Sequence, residues 1–304
     1  PSHRLIPLPG NGPEDVVMDA DGGLVVGVDD GRVLRVDPIT GEARLLARVE
    51  GRPLGLEILP DGTILACVSP GGVVRIDPVA GTVITMLSEF EGEPLPFCSN
   101  VVAARDGNIF VSTSSARYPF PQWRLDIVEH LPSGVLLRRP PDGRVEKLLD
   151  ALQFGNGLAL AQDESFVIVA ETNAARLLRY WLQGARAGQH EVFAELPGYP
   201  DNLSMSAEGL LWVALASSHN PLLDKIHKLP LFMRKLIARL PESLQPVPEK
   251  LAWAMALDAQ ARVVHDCRWK DGGYSMVTGV CQQRNTVYLG SMLEPALLAF
   301  DLPA

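Results

Sequence analysis

The chain of 304 residues lacks several features that mark common classes of protein. No apolar segment reaches the roughly 18 residues that a membrane span needs. Lysine and arginine form no basic block and the net charge is −9, which argues against nucleic acid as a partner. These absences predict a soluble protein and argue against membrane association. The chain begins at Pro1 rather than at methionine, which is compatible with a processed leader.

Cysteine is scarce, and the four cysteines show neither a Cys-X-X-Cys pair nor the cysteine–histidine spacing of a zinc site. We expect Cys67, Cys98, Cys267 and Cys281 to be free thiols that are buried as small apolar side chains. This usage favours a reducing compartment, and we predict a cytoplasmic protein. Apolar residues make up 47% of the chain, which is enough to bury a large core.

A repeated unit of short strands extends along almost the whole chain. In each unit one residue, which we call the ring position, stands seven positions before a turn such as Asp61-Gly62. Units of four strands and about 40–50 residues are typical of β-propeller blades. The sequence therefore predicts an all-β fold, a single six-bladed β-propeller domain over residues 1–304. The six ring positions are Glu14, Leu54, Ser99, Asn156, Asp201 and Thr278.

Two units are longer than the others, which indicates insertions. One extends from Ser115 to Ser133, and the other covers residues 217–248, where apolar residues recur at helical spacing. We expect the 217–248 insertion, called the lid, to cover the channel mouth and to pack its apolar stripe on the propeller. Its lysine and arginine residues leave a role at an anionic membrane surface as the less favoured alternative. Residues 1–10 are expected to supply the closing strand of the last blade, so that no sheet edge stays open.

Equivalent residues on the first strands of six blades converge on the central channel. Glu14, Asn156 and Asp201 should therefore meet there, although they lie far apart in sequence. Carboxylate and amide oxygens are the ligands that Ca²⁺ prefers. No histidine or cysteine shares the ring, which argues against zinc. The sequence predicts one Ca²⁺ in the channel.

Several motifs resemble one known family, in order and over nearly the whole chain. They include Gly12-Pro13-Glu14-Asp15, Gly155-Asn156-Gly157-Leu158, Pro200-Asp201-Asn202 and Tyr288-Leu289-Gly290-Ser291. These motifs resemble the SMP-30/gluconolactonase superfamily of six-bladed propellers. Within it they are most similar to the strictosidine-synthase-like branch, which includes the adipocyte plasma membrane-associated proteins.

The resemblance implies calcium ligands at Glu14, Asn156 and Asp201, with a fourth ligand in the third blade. Spacing selects Ser99 for that ligand. The chemistry favours its neighbour Asn100, because an amide carbonyl is the better calcium ligand. We prefer Asn100 and keep Ser99 as the alternative, since a small bulge there would reconcile the two.

The resemblance also implies a calcium-dependent hydrolase that acts on a small-molecule lactone or aryl ester. Ca²⁺ would polarise the carbonyl, and Asp201 is the predicted catalytic residue that orients or deprotonates the attacking water. Another acid near the channel or metal-bound water are alternative bases. The predicted substrate pocket contains Tyr118, Phe120, Trp123 and His219.

Two alternative functions stay open at this point. The first is a condensing enzyme like strictosidine synthase, which is disfavoured because the axis stretch of the last blade, 277–280, contains no acid. The second is a non-catalytic propeller that binds a ligand or a partner and keeps calcium for stability.

Overall fold

The computed structural model describes residues 2–241, 244–270 and 272–303. The two ends of the predicted domain, Pro1 and Ala304, lie outside the described residues. The same holds for Glu242 and Ser243 of the lid and for Asp271.

Six four-stranded antiparallel sheets form a β-propeller, which confirms the predicted fold class. The first strand of each blade contacts the first strands of the two neighbouring blades, and these contacts close a ring of six. A short hairpin of two strands separates the second blade from the third. The strands are, in chain order, β1 (His3–Pro7); β2 (Val16–Met18), β3 (Leu24–Gly27), β4 (Arg32–Val36) and β5 (Ala43–Arg48); β6 (Arg52–Ile58), β7 (Ile64–Ser69), β8 (Gly72–Ile76) and β9 (Val83–Leu87); the hairpin β10 (Glu89–Phe90) and β11 (Glu93–Pro94); β12 (Phe97–Ala103), β13 (Ile109–Ser115), β14 (Gly134–Arg139) and β15 (Glu146–Leu152); β16 (Gly155–Leu160), β17 (Phe166–Glu171), β18 (Arg176–Trp181) and β19 (His190–Glu195); β20 (Gly198–Met205), β21 (Leu211–Ser218), β22 (Ala252–Leu257) and β23 (Val263–Trp269); and β24 (Val277–Gln283), β25 (Thr286–Ser291) and β26 (Ala296–Asp301).

The first strand of the chain completes the last sheet. β1 pairs antiparallel with β26, from His3 opposite Phe300 to Pro7 opposite Ala296, and the order in this sheet is β1-β26-β25-β24. The strand ladder therefore joins the two ends of the propeller, and the outer edge of β26 is covered.

Apolar side chains fill the spaces between neighbouring sheets, and hydroxyl groups join the blades near the axis. The Thr278 hydroxyl of the sixth blade donates to the carbonyl of Glu14 in the first at 2.6 Å. The Thr172 hydroxyl of the fourth blade donates in the same way to the carbonyl of Pro200 in the fifth at 2.7 Å. These buried bonds satisfy backbone carbonyls near the axis and join neighbouring blades there.

Both insertions connect the second strand of a blade to the third, so they lie on the same face of the propeller. The first forms a 3₁₀ turn (Phe120–Gln122) and α1 (Trp123–Glu129), and the lid forms α2 (Pro221–His227) and α3 (Leu231–Ala238). Further 3₁₀ turns cover Thr172–Ala174 and Gly184–Arg186. Among the described residues, no helix is both long and apolar enough to cross a membrane.

The three helices pack together through a small apolar cluster that contains Val128, Leu223, Ile226 and Ala238. The expectation that the lid packs its apolar stripe inward is therefore right for Leu223 and Ile226. It is wrong for Phe232 and Leu236 of α3, which are 72% and 68% exposed. Helix α3 packs against α1, and α2 contacts α1 as well. The face of α3 that contains Phe232 and Leu236 stays exposed to solvent.

Candidate active site

The ring positions coincide with interruptions in the strand ladders. In five blades the pairing between the first and second strands shifts register at the ring position. A bulge of this kind leaves a residue unpaired and re-aims its side chain. In the first blade the ring residue Glu14 precedes β2, which begins at Val16. The five residues at the register shifts are Leu54, Ser99, Asn156, Asp201 and Thr278.

One cavity is lined by most of the ring residues. It encloses about 940 Å³, part of it open to solvent, on the face of the propeller that carries the insertions. Glu14, Asn156 and Asp201 all line this cavity, so the fold brings these three residues together. Ser99 and Thr278 line it too.

Two residues that line the cavity each contain a side-chain oxygen without a hydrogen-bond partner. Asn156 Oδ1 and Asp201 Oδ1 are buried and accept no hydrogen bond from the residues that the structure describes. The other end of the Asn156 amide is held, because its Nδ2 donates to the Thr172 hydroxyl at 3.1 Å. An unpartnered buried acceptor costs about 1–3 kcal/mol, and a hard cation would remove that cost. The donor chemistry therefore fits Ca²⁺.

The two carboxyl groups of the ring titrate far from their ordinary range. Burial, the nearby Asp201 and then Asp15 raise the pKa of Glu14 well above its usual value, and Arg52 and the Asn202 amide offset part of this effect. Burial raises the pKa of Asp201 to about 8, against the amide of Asn156 and the backbone N–H of Asn202. Glu14 and Asp201 are buried close together, so each disfavours ionisation of the other. A bound divalent cation would stabilise both groups as carboxylates.

The third blade presents Ser99 to the cavity, and Asn100 lies one residue further along β12. Asn100 is in register opposite Ser112 and is absent from the cavity lining. Its Nδ2 donates to Asn202 Oδ1 at 2.8 Å, and the Ser99 hydroxyl bonds that of Ser114. The choice between the two as a ligand stays a prediction.

Asp15, which lies beside the ring, was not predicted from the sequence to be part of the site. Its carboxylate accepts the backbone N–H groups of Val16 and Leu56, each at 2.9 Å, and so joins the first blade to the second. Burial raises the pKa of Asp15 to about 6, against these two hydrogen bonds. Asp15 therefore adds negative potential beside the ring from a fixed structural place.

The walls of the cavity are mainly apolar and only partly as predicted. Phe120 and Trp123 line it. Tyr118 and His219 are absent from the lining. The Tyr118 hydroxyl donates to Glu129 at the end of α1 at 2.8 Å, whereas the exposed His219 stacks on Tyr199 and lies 3.3 Å from Asp224.

A second tier of side chains was missed by sequence reasoning. These residues stand two positions before ring positions and line the cavity above them. A signal for them existed, because residues two apart on a strand share a face. They are Phe97, Phe154, Tyr199 and Met276.

Arg52 stands two positions before the ring position of the second blade, but it does not line the cavity. Its guanidinium donates to the carbonyls of Gly12 and Met292, each at 3.1 Å, and lies 4.6 Å from the ring centre of Phe120. It therefore holds the first insertion against the rim of the channel. Among the described residues, no group of three or more histidine, cysteine, aspartate and glutamate side chains could hold a metal. A cation at this ring would need amide or hydroxyl oxygens besides its two carboxylates.

The model of the SMP-30/gluconolactonase/LRE-like region matches residues 13–222, more than half of the chain. The chain belongs to this family. Its relatives within the SMP-30/gluconolactonase family include STRICTOSIDINE SYNTHASE-LIKE 10 of Arabidopsis thaliana, 32% identical over 99% of this chain and 88% of the relative. The adipocyte plasma membrane-associated protein of Rattus norvegicus is 31% identical over 99% of this chain and 86% of its own length. The resemblance read from the motifs is thereby confirmed.

Solved structures of the SMP-30/gluconolactonase type share the fold. A gluconolactonase of Xanthomonas campestris superposes with a TM-score of 0.72 at 17% identity, covering 99% of this chain and 89% of that one. Regucalcin of Agrobacterium tumefaciens, described as a calcium-binding protein, gives 0.67 at 15% identity, covering 98% and 92%. At these identities the likeness speaks for the propeller fold.

Proposed function

We propose that this protein is a hydrolase of lactones or aryl esters that depends on a divalent cation, with Ca²⁺ as the expected ion. The observation that carries the proposal is the pair of unpartnered oxygens, Asn156 Oδ1 and Asp201 Oδ1, in one cavity with Glu14. Membership of a family that includes gluconolactonases, and the fold shared with a calcium-binding regucalcin, support the same conclusion.

Glu14, Asn156 and Asp201 would hold the cation, with Ser99 or Asn100 as the fourth protein ligand. When bound, the cation would polarise the substrate carbonyl and stabilise the negative charge that develops on its oxygen. The Thr172 hydroxyl accepts a hydrogen bond from Asn156 Nδ2 and so fixes the orientation of the Asn156 side-chain amide. Asn202 Nδ2 donates to the Glu14 carboxylate and holds it in place. The ligand set is thus positioned before any substrate enters.

Asp201 is the proposed catalytic residue. Its Oδ1 has no hydrogen-bond partner among the described residues, so the carboxylate could orient a water molecule and accept its proton. Phe120 and Trp123 would contact the apolar part of an ester or lactone and exclude bulk water from the reacting carbonyl.

The condensing reaction is less well supported. The cavity residues of the last blade include Met276, Thr278 and Met292, and none of these is acidic. The nearby acid Glu294 accepts a hydrogen bond from the Ser275 hydroxyl at 2.9 Å and is absent from the lining. Among the described residues of the last blade, none is therefore evident as a proton shuttle.

Metal content by elemental analysis, paired with a hydrolysis screen on lactones and aryl esters with and without chelator, tests the proposal. Turnover that a chelator removes and Ca²⁺ restores is the expected result. Bound calcium without turnover on a broad panel would favour a binding protein with structural calcium. Turnover indifferent to chelator would contradict the role of the cation. Asp201→Asn serves as the matched inactive control for contaminating hydrolases.

A further inference from the structure

One face of helix α3 is exposed although it is largely apolar. Phe232 and Leu236 are 72% and 68% exposed, and Leu240, just beyond the helix, is 37% exposed. These residues follow one another at intervals of four, so they form a single stripe along the helix. The stripe is on the solvent side of the lid, and other lid residues, Asn220, Leu223 and Gln245, line the cavity that contains the ring.

Cations lie beside this stripe on the same side of α3. At about 100° per residue, Lys235 and Arg239 fall within roughly 60° of Phe232 around the helix axis. Both are exposed, as are Lys225 and Lys228 of the preceding helix and turn. Residues 217–248 carry five lysine and arginine residues against two acids, a net charge of +3 in a chain whose net charge is −9. Positive charge is thus concentrated on the lid.

The opposite side of α3 is fixed to the protein. Ala238 is buried in the cluster between the helices, and the Arg234 guanidinium donates to the carbonyls of Glu129 and His130 at the end of α1. His227 of α2 lies 2.9 Å from the carbonyl of Ile127, and its ring stacks on His130. The exposed stripe is therefore presented on a helix that is held to the protein along its other side.

We propose that this outer face of the lid, formed by Phe232, Lys235, Leu236, Arg239 and Leu240, docks on an anionic lipid surface. Apolar side chains would enter the headgroup boundary while the lysine and arginine heads stay at the level of the lipid phosphates, as in interfacial helices. A protein partner fits less well, because protein interfaces are depleted in lysine. The lid and the cavity are on the same face of the propeller, so docking brings that face towards the bilayer, where apolar esters and lactones dissolve.

Sedimentation with phosphatidylcholine vesicles, with and without phosphatidylserine, tests the docking independently of catalysis. We expect binding to the vesicles that contain phosphatidylserine, and its loss as salt is raised. A cation near such a surface contributes about 1 kcal/mol, or roughly fivefold in affinity, so Lys235→Glu with Arg239→Glu should weaken binding at least about tenfold. Phe232→Ser with Leu236→Ser should also weaken it about tenfold or more.

The matched control is Ile39→Ser with Val79→Ser. These two residues are 89% and 95% exposed, in turns between third and fourth strands, and such turns lie on the face opposite the lid. The control should bind vesicles like the unchanged protein. The proposal is overturned if the protein ignores phosphatidylserine, if the lid variants bind normally, or if the control loses binding equally. A lid-dependent dimer without lipid affinity, seen by light scattering, would also overturn it. Hydrolysis of soluble substrates is measured alongside, so failure of docking and failure of the proposed activity are distinguishable.

Discussion

Asn202 donates its side-chain amide to Oε2 of Glu14 at 3.2 Å, across 188 positions of sequence. The carbonyl of the same Asn202 side chain accepts the amide of Asn100 at 2.8 Å. Both asparagines stand one residue after a ring position, in the third and fifth blades. A second set of residues beneath the ring therefore orients the acid that would bind the cation.

Asn202→Ala should weaken calcium binding while leaving catalysis at saturating calcium largely intact. Loss of a group that orients a ligand typically costs 10–100-fold in metal affinity. Calcium titration by calorimetry, with the rate measured at each calcium concentration, gives both quantities. Thermal unfolding without calcium shows whether the variant is folded. An unchanged calcium affinity in a folded variant would mean that Glu14 is oriented by other contacts.

Asp201→Asn and Glu14→Gln should differ in how far excess calcium restores their rate of hydrolysis. The Asp201→Asn amide can offer an oxygen to a cation but cannot accept a proton, so a deficit of about 10²–10⁴ in rate should persist at saturating calcium. Glu14→Gln loses one ligand charge, and we expect excess calcium to restore most of its rate. The measurement is turnover against calcium concentration for both variants. Full recovery of Asp201→Asn at high calcium would reduce Asp201 to a ligand.

Gly157→Ala should destabilise the protein by about 1–3 kcal/mol or more, because a β-carbon there would lie 2.5 Å from the Cα of Asn202 in the next blade. Gly55 and Gly279 make the same kind of room, beside Asn100 and Asp15. Urea unfolding measures the loss. Gly62→Ala is the control, since no atom of the described residues lies within 4 Å of the β-carbon it would add, and its cost should be that of the turn conformation, about 1 kcal/mol. Equal losses would show that the blades can separate to admit the methyl group.

The spacing of seven residues located the six ring positions because it reflects a fixed distance along the first strand to its turn. The register shifts at Ser99 and Asp201 fall on that spacing. The sequence placed Tyr118 and His219 in the substrate pocket, but neither lines the cavity. Their orientation depends on contacts with Glu129 and Tyr199 that form only when the insertions fold. Helical spacing likewise predicts an apolar stripe on α3, but it does not show whether another element of the fold packs against that stripe.

Glu57→Gln should stabilise the protein at alkaline pH. Burial raises the pKa of Glu57 to about 7, against a hydrogen bond from the backbone N–H of Ala103. The folded state therefore holds a proton that the unfolded state releases, and stability is lost as the pH rises from about 4.5 to about 7. The amide cannot ionise and still offers an oxygen to Ala103. Above about pH 8 the variant should gain up to about 3 kcal/mol, with little gain near pH 4. A gain that does not depend on pH would contradict the assignment.

His227 should make the protein acid-sensitive. Burial, with the neighbouring His130 as the next cause, lowers the pKa of His227 to about 4, and its contact with the Ile127 carbonyl opposes this only in part. Arg234 also disfavours the charged imidazole, whereas Asp224 favours it. The unfolded histidine titrates near 6.5, so the unfolded state binds more protons between about pH 6.5 and pH 4. Stability is then present at neutral pH and is lost as the pH falls.

Going from about pH 7 to about pH 4.5, this half-buried group should cost at most about 2 kcal/mol of unfolding free energy, because solvent screens part of the effect. His227→Gln keeps an N–H donor for the Ile127 carbonyl but cannot take up a proton in this range. The variant should therefore lose about 1–2 kcal/mol less than the unchanged protein on acidification, as measured by urea unfolding at both pH values. His190→Gln, an exposed position on β19, is the control and should lose as much stability as the unchanged protein. If His227→Gln does the same, the stacked pair with His130 opens without cost to the fold, and the acid sensitivity of the protein lies elsewhere.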